Sequence, residues 1–464
     1  MRPAGLRPPK PSPPVVVSRE DTALPDPPCR RSVSREGTAF PDPLHREGYG
    51  ETRFPHMFRS GIRGFVDLET FAWLRSPQGQ AVLEELATRP LGEDDTLREL
   101  ERLRQRVTPE QARAALELAL LRRRASAKFP AAGRLFFTRE ALEQASAAPV
   151  AAHRAARLAP CGHVADLGCG IGGDTLALAA AGARVTAVER DPLRLAMART
   201  NAEALGLGER IDWLLRDLSI AEPPPADALF SDPGRRAGGQ RRFQVERYDP
   251  PLSRVLAWQA RTPALAVKVA PGIDLTAAPT DAEVEFVSLD GELKEAVIWC
   301  GPLARVARQA TLVSSDANVP THTLWAAHGA ARATVPVTEP DAMLYEPDPA
   351  VIRAGLVTDL AVRIGAAQID PEIAYLTAPA YVATPFARAW PVLAWFPFSL
   401  KRLRARLRDL GAGPVTVKKR GSPLDSDALA RQLSGDGARP LVVVLTRVRG
   451  QPAALICDAP VSAK

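Results

Sequence analysis

The stretch Val164-Ala-Asp-Leu-Gly-Cys-Gly-Ile-Gly-Gly-Asp-Thr175 constrains the fold more than any other part of the chain. A short apolar strand breaks into glycines and then re-enters a helix. A backbone that turns sharply and lets a ligand touch it cannot carry side chains there, and glycine takes positive φ at little cost. The helix expected over 174–181 points its unpaired N–H groups and positive dipole end into the turn. The next strand, Arg184-Val-Thr-Ala-Val-Glu189, ends in an acid placed to accept both hydroxyls of a ribose. Together they read as a socket for an adenosine-bearing cofactor. Two cofactors fit the glycines. Gly168, Gly170 and Gly173 satisfy the dinucleotide fingerprint G-x-G-x-x-G. Asp166, Gly168, Gly170 and Gly172 satisfy D-x-G-x-G-x-G, the S-adenosylmethionine version.

Residues further along decide between them. Ile211-Asp-Trp-Leu-Leu-Arg-Asp217 and Ala226-Asp-Ala-Leu-Phe-Ser-Asp-Pro233 read as third and fourth strands that run into acids, and 264–269 as a fifth. The segments 283–289 and 293–299, joined by Asp290-Gly291, read as an antiparallel hairpin. Helical stretches near 192–206 and 250–260 separate several earlier strands, which makes those parallel with right-handed crossovers. This α/β arrangement, a mostly parallel sheet closing on a terminal hairpin, resembles the Rossmann-like class I methyltransferase fold over residues 159–303. The resemblance implies S-adenosylmethionine as the cofactor. It places Asp166, Gly168, Gly170 and Gly172 around the amino-acid end, with Asp174 and Thr175 beside them at the head of the helix. It gives Glu189 the ribose and Asp217 the adenine amine, and turns Asp232 and Pro233 toward the acceptor.

Methyltransferases acting on exocyclic amines carry Asn/Asp/Ser-Pro-Pro-aromatic at that place, and this chain has Asp232-Pro-Gly-Arg-Arg236. The acid and first proline are kept, and arginines stand where the aromatic would. The motif is similar to the Asp-Pro-Pro-Arg signature of RNA uridine-C5 methyltransferases, which need a cysteine nucleophile. Here the fifth strand runs into Lys268-Val-Ala-Pro-Gly272 without one, while Cys169 and Cys300 are poorly placed to attack a base. The expectation is therefore transfer by alignment, with no covalent cysteine intermediate. Asp232 would orient or receive a proton, and Arg235 and Arg236 would clamp a phosphate or simply face solvent.

Residues 1–56 hold a dense share of the 44 prolines and little that packs, so a disordered tail is expected. Val17-Ser-Arg-Glu-Asp-Thr-Ala-Leu-Pro-Asp-Pro27 is repeated, degenerately, by Val33-Ser-Arg-Glu-Gly-Thr-Ala-Phe-Pro-Asp-Pro43. We read the tail as translated upstream sequence, with the true start at Met57. Residues 57–158 read as a helical region from the spacing of Phe65, Leu68, Phe71 and Leu74 and of 112–121. Its Lys128-Phe129-Pro130 and Leu135-Phe-Phe-Thr-Arg-Glu-Ala141, ahead of the glycine turn, are similar to the trimethylguanosine synthase branch of methyltransferases. That similarity implies that Phe137 and Thr138 help close over cofactor and substrate; packing in the core is the other reading.

At the C-terminus, 396–408 reads as a helix with a basic face, followed by a strand at 414–421, a helix at 426–433 and a strand pair at 441–447 and 453–457. Lys418-Lys-Arg-Gly421 with its following helix resembles the small α+β THUMP-like domain found behind methyltransferase cores, over 391–464. THUMP domains bind tRNA. The resemblance implies RNA binding by Lys401, Arg404, Arg408, Lys418, Lys419 and Arg420. Clustered cations of this kind supply phosphate affinity within a chain of net charge +7. Residues 304–390 read as a bridging α+β region, with a strand at 310–313 and a helix opening after Pro349. Five scattered cysteines and six dispersed histidines suggest a reduced cytosol and no metal site, and no apolar run approaches the roughly 18–20 residues of a membrane span. The sequence thus predicts a cytoplasmic methyltransferase acting on tRNA or rRNA. A small-molecule methyltransferase and a non-catalytic RNA-binding or assembly protein are the other readings, and the oligomeric state is not legible.

Overall fold

The computed structural model describes residues 66–461, apart from 235, 238, 239, 242 and 243. The proline-rich tail, its repeat and Arg235 lie outside the described residues. The described chain opens with four helices, α1 (Leu68–Arg75), α2 (Pro77–Thr88), α3 (Glu93–Arg104) and α4 (Pro109–Ala125). Their starts are written locally. Asp67 accepts from the Thr70 N–H, Ser76 from Gly79 with Pro77 in the first turn, and Thr108 and Gln111 bond reciprocally ahead of α4. Phe71, Leu74, Leu83 and Leu86 bury one face of this layer. The same core takes in Phe136, Phe137, Ile171 of the glycine turn and Met197, so the helical layer rests directly on the turn. Phe137 packs on Phe129 at 5.6 Å and Thr138 caps α5 (Arg139–Gln144), so both have core and capping roles.

Helix α6 (Ala148–Leu158) leads into a nine-stranded sheet. Strands β1 (His163–Leu167), β2 (Arg184–Glu189), β3 (Ile211–Leu215) and β4 (Ala228–Ser231) are parallel, connected by α7 (Gly173–Ala180), α8 (Pro192–Ala204) and the loop after β3. A short ribbon, β5 (Arg236–Ala237) and β6 (Gln240–Arg241), and α9 (Leu252–Ala257) precede β7 (Leu265–Val269), which joins β4 in parallel. Strands β8 (Glu283–Leu289) and β9 (Glu292–Cys300) form the expected antiparallel hairpin, with β9 against β7. Its turn has φ of 52° at Asp290 and 82° at Gly291, the two positive values that a tight hairpin demands.

The sheet runs on past residue 303. β10 (Arg308–Val313) pairs in parallel with β8, and β11 (His322–Ala326) closes the edge antiparallel to β10. The strand read at 310–313 as part of a bridging region is therefore a strand of the large sheet.

A second, seven-stranded sheet has the order β13-β14-β12-β15-β18-β17-β16. Its strands are β12 (Met343–Pro347), β13 (Ala367–Asp370), β14 (Ile373–Ala378), β15 (Ala387–Pro397), β16 (Ala412–Lys419), β17 (Arg439–Val448) and β18 (Gln451–Cys457). Helices α10 (Pro349–Arg353) and α11 (Val357–Ile364) follow β12, and α12 (Leu400–Asp409) and α13 (Ser426–Leu433) flank β16. Strand β15 pairs with β12 through residues 387–391 and with β18 through 392–397, so residue 391 falls where one continuous strand changes partner. The basic helix begins at Leu400, capped by Ser399, because Phe396 and Pro397 still pair in β15. Phe286, Ile298 and Ala310 of the large sheet share one core with Tyr345, Val351 and Leu360.

Helix α6 is clamped to the large sheet by ion pairs. Arg157 grips Glu283, which is fully buried, and lies 4.3 Å from the Trp299 ring; His153 Nε2 is 2.7 Å from Glu285. Burial works against the Glu285 carboxylate, yet the His153 charge and hydrogen bond hold it well below the usual carboxylate range. Arg157→Met would leave the buried Glu283 carboxylate without its guanidinium. It should cost about 3–5 kcal/mol in urea unfolding, and a loss under about 1 kcal/mol would reject the clamp.

Candidate functional site

Strand β1 delivers Asp166 and Leu167 to the turn, where Gly168, Gly170 and Gly172 have φ of 92°, 57° and 92°. The Gly168 and Cys169 N–H groups both donate to the Val188 carbonyl at 2.9 Å, locking the turn onto β2. The glycines serve different ends. A Cβ on Gly172 would stand 3.3 Å from Ala198 Cβ, so this residue lets α8 approach. A Cβ on Gly170 would meet nothing within 4 Å and would project into open space. Asn201, 1% exposed, holds the far side of the turn by donating to the carbonyls of Ile171 and Phe136.

The open space is a cleft of about 340 Å³, within the range of small-molecule sites. Asp166, Gly168, Gly170, Asp174, Glu189, Asp217, Asp232 and Pro233 all line it, so four strand ends separated in sequence converge on one cavity. Residues 143–146, at and just beyond the end of α5, form another part of the wall. Gly172 and Thr175 are not on the wall: Thr175 is fully buried and bonds to the Asp166 carboxylate. Glu189 Oε2 accepts from the Gly170 N–H and Oε1 from Arg190 and Asp191, each at 2.9 Å, which orients the carboxylate rigidly. Asp217 accepts from the Ser219 N–H at 2.9 Å; burial opposes its charge, but the Ser219 bonds hold its carboxyl below the usual range. Asp166 is 1% exposed, and its carboxyl is pushed up to about 8, first by burial and then by the Asp174 charge.

Three further residues that the motif reading passed over, Ser146 on the wall and Lys268 and Arg154 beneath it, hold the polar groups of the site. Lys268 of β7 places Nζ 2.6 Å from Asp232 Oδ2 and 2.9 Å from Ser146 Oγ. Arg154 of α6 binds Asp174, Ser146 and Glu295. The signal for Lys268 was present, as one charge in the otherwise apolar strand Leu-Ala-Val-Lys-Val; nothing local marks Ser146 or Arg154. Neither cysteine considered as a nucleophile is suited to it: Cys169 lines the cleft, and Cys300 pairs with Leu265 at the far end of β7. Burial raises the Cys169 thiol well above its ordinary value and pushes Cys300 up to about 12.

The six basic residues of the C-terminal region divide. Lys401, Arg404 and Arg408 lie at three- and four-residue spacing on the exposed face of α12. Lys418 and Arg420 instead turn to Glu346 and stack over Trp390 and Tyr375, at 4.9 and 5.3 Å. Lys419 donates to the Leu424 carbonyl. Among the described residues, no cluster of His, Cys, Asp or Glu is arranged to hold a metal, and no helix is long and apolar enough to cross a membrane.

A methyltransferase-domain family matches residues 164–231, a THUMP-domain-like family residues 387–459, and a domain of unknown function residues 67–125. An uncharacterized S-adenosylmethionine-dependent methyltransferase of Mycobacterium tuberculosis is 38% identical over 354 residues, 72% of this chain and 92% of that protein. An uncharacterized RNA methyltransferase of Parasynechococcus marenigrum is 37% identical over 108 residues, 22% of this chain and 23% of its own. A crystal structure from Porphyromonas gingivalis W83, there assigned to the methyltransferases, superposes with TM-score 0.62 at 21% identity. It covers 80% of this chain and 99% of that one, which shows a shared fold.

Asp166 yields a test. Its folded form keeps a proton from the ordinary value of 3.8 up to about 8, where the unfolded chain has lost it. This group's contribution to stability therefore falls as pH rises across that interval and levels off above it. Asp166→Asn should flatten the decline in melting temperature between pH 5 and 8 in the cofactor-free protein. Parallel curves for the two proteins would reject the assignment.

Proposed function

Since the chain belongs to the S-adenosylmethionine-dependent methyltransferases, we propose that it methylates structured RNA in the cytoplasm, docking it through α12. One observation supports the docking above others. Among the described residues Lys401 and Arg408 have no carboxylate partner and Arg404 bonds to the Gln432 amide, and the three share one exposed face. They lie in the region that matches the THUMP-domain-like family, and one relative is named an RNA methyltransferase. Such a row gains affinity by displacing counterions from phosphates, and that gain falls steeply with salt.

Within the cleft, Gly168 and Gly170 bring bare backbone to the cofactor, and the empty direction at Gly170 suits a ligand lying against it. Asp166 and the head of α7 would hold the amino-acid end, Glu189 the ribose and Asp217 the adenine amine. When bound, S-adenosylmethionine would supply a methyl on a sulfonium to an acceptor lone pair, with the electron pair of the broken carbon–sulfur bond left on sulfur. Asp232 would accept a hydrogen bond from the acceptor's N–H or O–H and pass the released proton to water. Pro233, buried beside it, fixes the backbone there. Alignment of this kind can supply about 7–11 kcal/mol of the barrier.

Comparing modified nucleosides by mass spectrometry in cells with and without the protein tests the RNA reading; a methylated nucleoside should disappear. If S-adenosylmethionine is consumed while every RNA nucleoside is unchanged, the acceptor is a small molecule. Gly170→Arg should keep the fold at a cost of about 1–2 kcal/mol for its left-handed backbone and show no S-adenosylmethionine binding by calorimetry, and retained binding would refute the placement. Reversing charge at Lys401, Arg404 and Arg408 together should abolish low-salt RNA retention with the melting temperature kept. Lys418→Met should do the opposite, lowering stability because it removes the nearer of the two cations that meet Glu346.

A further inference from the structure

Lys268 is a lysine almost wholly inside the protein, 3% exposed, on a central strand whose other residues are apolar. Removing an ammonium from water costs several kcal/mol unless its donors are met. Here two are met, and both by cleft residues: Asp232 Oδ2 at 2.6 Å and Ser146 Oγ at 2.9 Å. Ser146 in turn accepts from Arg154 Nη2 at 2.8 Å, and Arg154 binds Asp174 at the head of α7. A continuous polar chain therefore runs beneath the cleft from the end where the amino-acid part of the cofactor would sit to the acid at the acceptor end. Asp232 alone among its carboxylates is appreciably open, with its side chain 26% exposed. Its Oδ1 has no hydrogen bond among the described residues.

We propose that Lys268 is a positioning residue for methyl transfer, holding the Asp232 carboxylate in one rotamer so that Oδ1 is presented to the acceptor. Lys268 does not line the cleft, so it acts through Asp232 rather than on the substrate. Ser146 anchors the ammonium from the far side and keeps the lysine from following the carboxylate outward. This rests on the reading of Asp232 as the group that meets the acceptor.

The test uses the full chain with RNA purified from cells lacking the protein. Lys268→Met should keep S-adenosylmethionine affinity and RNA KM while lowering kcat roughly 100-fold, the scale of a misplaced catalytic group. Lys268→Arg, which keeps charge and donors, should recover most of that loss. In an Asp232→Asn background, Lys268→Met should cost nothing further, because the two act as one unit. Equal effects in both backgrounds would overturn the proposal. Lys268→Gln keeps a donor for Ser146 and is read the same way if the methionine variant folds poorly. A crystal structure of either variant with S-adenosylhomocysteine gives a readout that needs no acceptor. Asp232 leaving its present rotamer supports the proposal, and Asp232 unmoved overturns it. Wild-type protein that binds S-adenosylmethionine yet labels no RNA refutes the RNA reading alone, and the crystallographic result still decides Lys268.

Discussion

The guanidinium of Arg154 is the contact on which the rest of the molecule leans. It is 1% exposed, and it reaches Asp174 at the head of α7, Glu295 on β9 and Ser146 on the cleft wall. Burial opposes its charge, and the Asp174 and Glu295 carboxylates more than restore it. An arginine suits this place because its planar fork serves several acceptors at once and it cannot escape burial by losing a proton. Three separate parts of the chain are thereby fixed to one point: α6 itself, the cofactor turn through α7 and the terminal hairpin through β9.

That anchoring explains why the cleft is built from so many strand ends. Parallel strands place their carboxyl ends on one edge of the sheet, and the crossover loops open there. The loops still have to be held, and each is held differently. Glu189 pins the glycine turn through the Gly170 N–H, Asn201 pins it through Ile171, and Lys268 ties the loop after β4 to the strand beside it. The carboxylates that face the cavity are consequently oriented before any ligand arrives, which removes part of the cost of binding.

Much of this was legible in the residues. The strand-glycine-helix pattern, the acids at successive strand ends and the Asp290-Gly291 hairpin are local signals, and each names its own geometry. The capping residues of α1, α2 and α4 are equally local. Other features were not legible. Strand β10 joins the large sheet by pairing with β8, which no short-range pattern announces, and β11 follows by pairing with β10. Strand β15 pairs with β12 through residues 387–391 and with β18 through 392–397, so its partner changes near residue 391 while the strand itself runs on unbroken. Lys418 and Arg420 look identical in sequence to Lys401 and Arg404, and only the position of Glu346 across the sheet separates structural cations from free ones.

The sequence by itself determined the class of chemistry, because a glycine turn followed by spaced acids requires specific backbone conformations and specific charges, both carried by residue type. Tertiary structure alone decided which polar groups meet beneath the cleft. Ser146, Arg154, Asp174, Asp232, Lys268 and Glu295 are scattered along the chain, and their partnership depends on how α6 packs beside α7 and against the β8–β10 part of the large sheet. A buried charge is tolerated only where the fold brings its counterpart, and that pairing is a property of packing rather than of any segment.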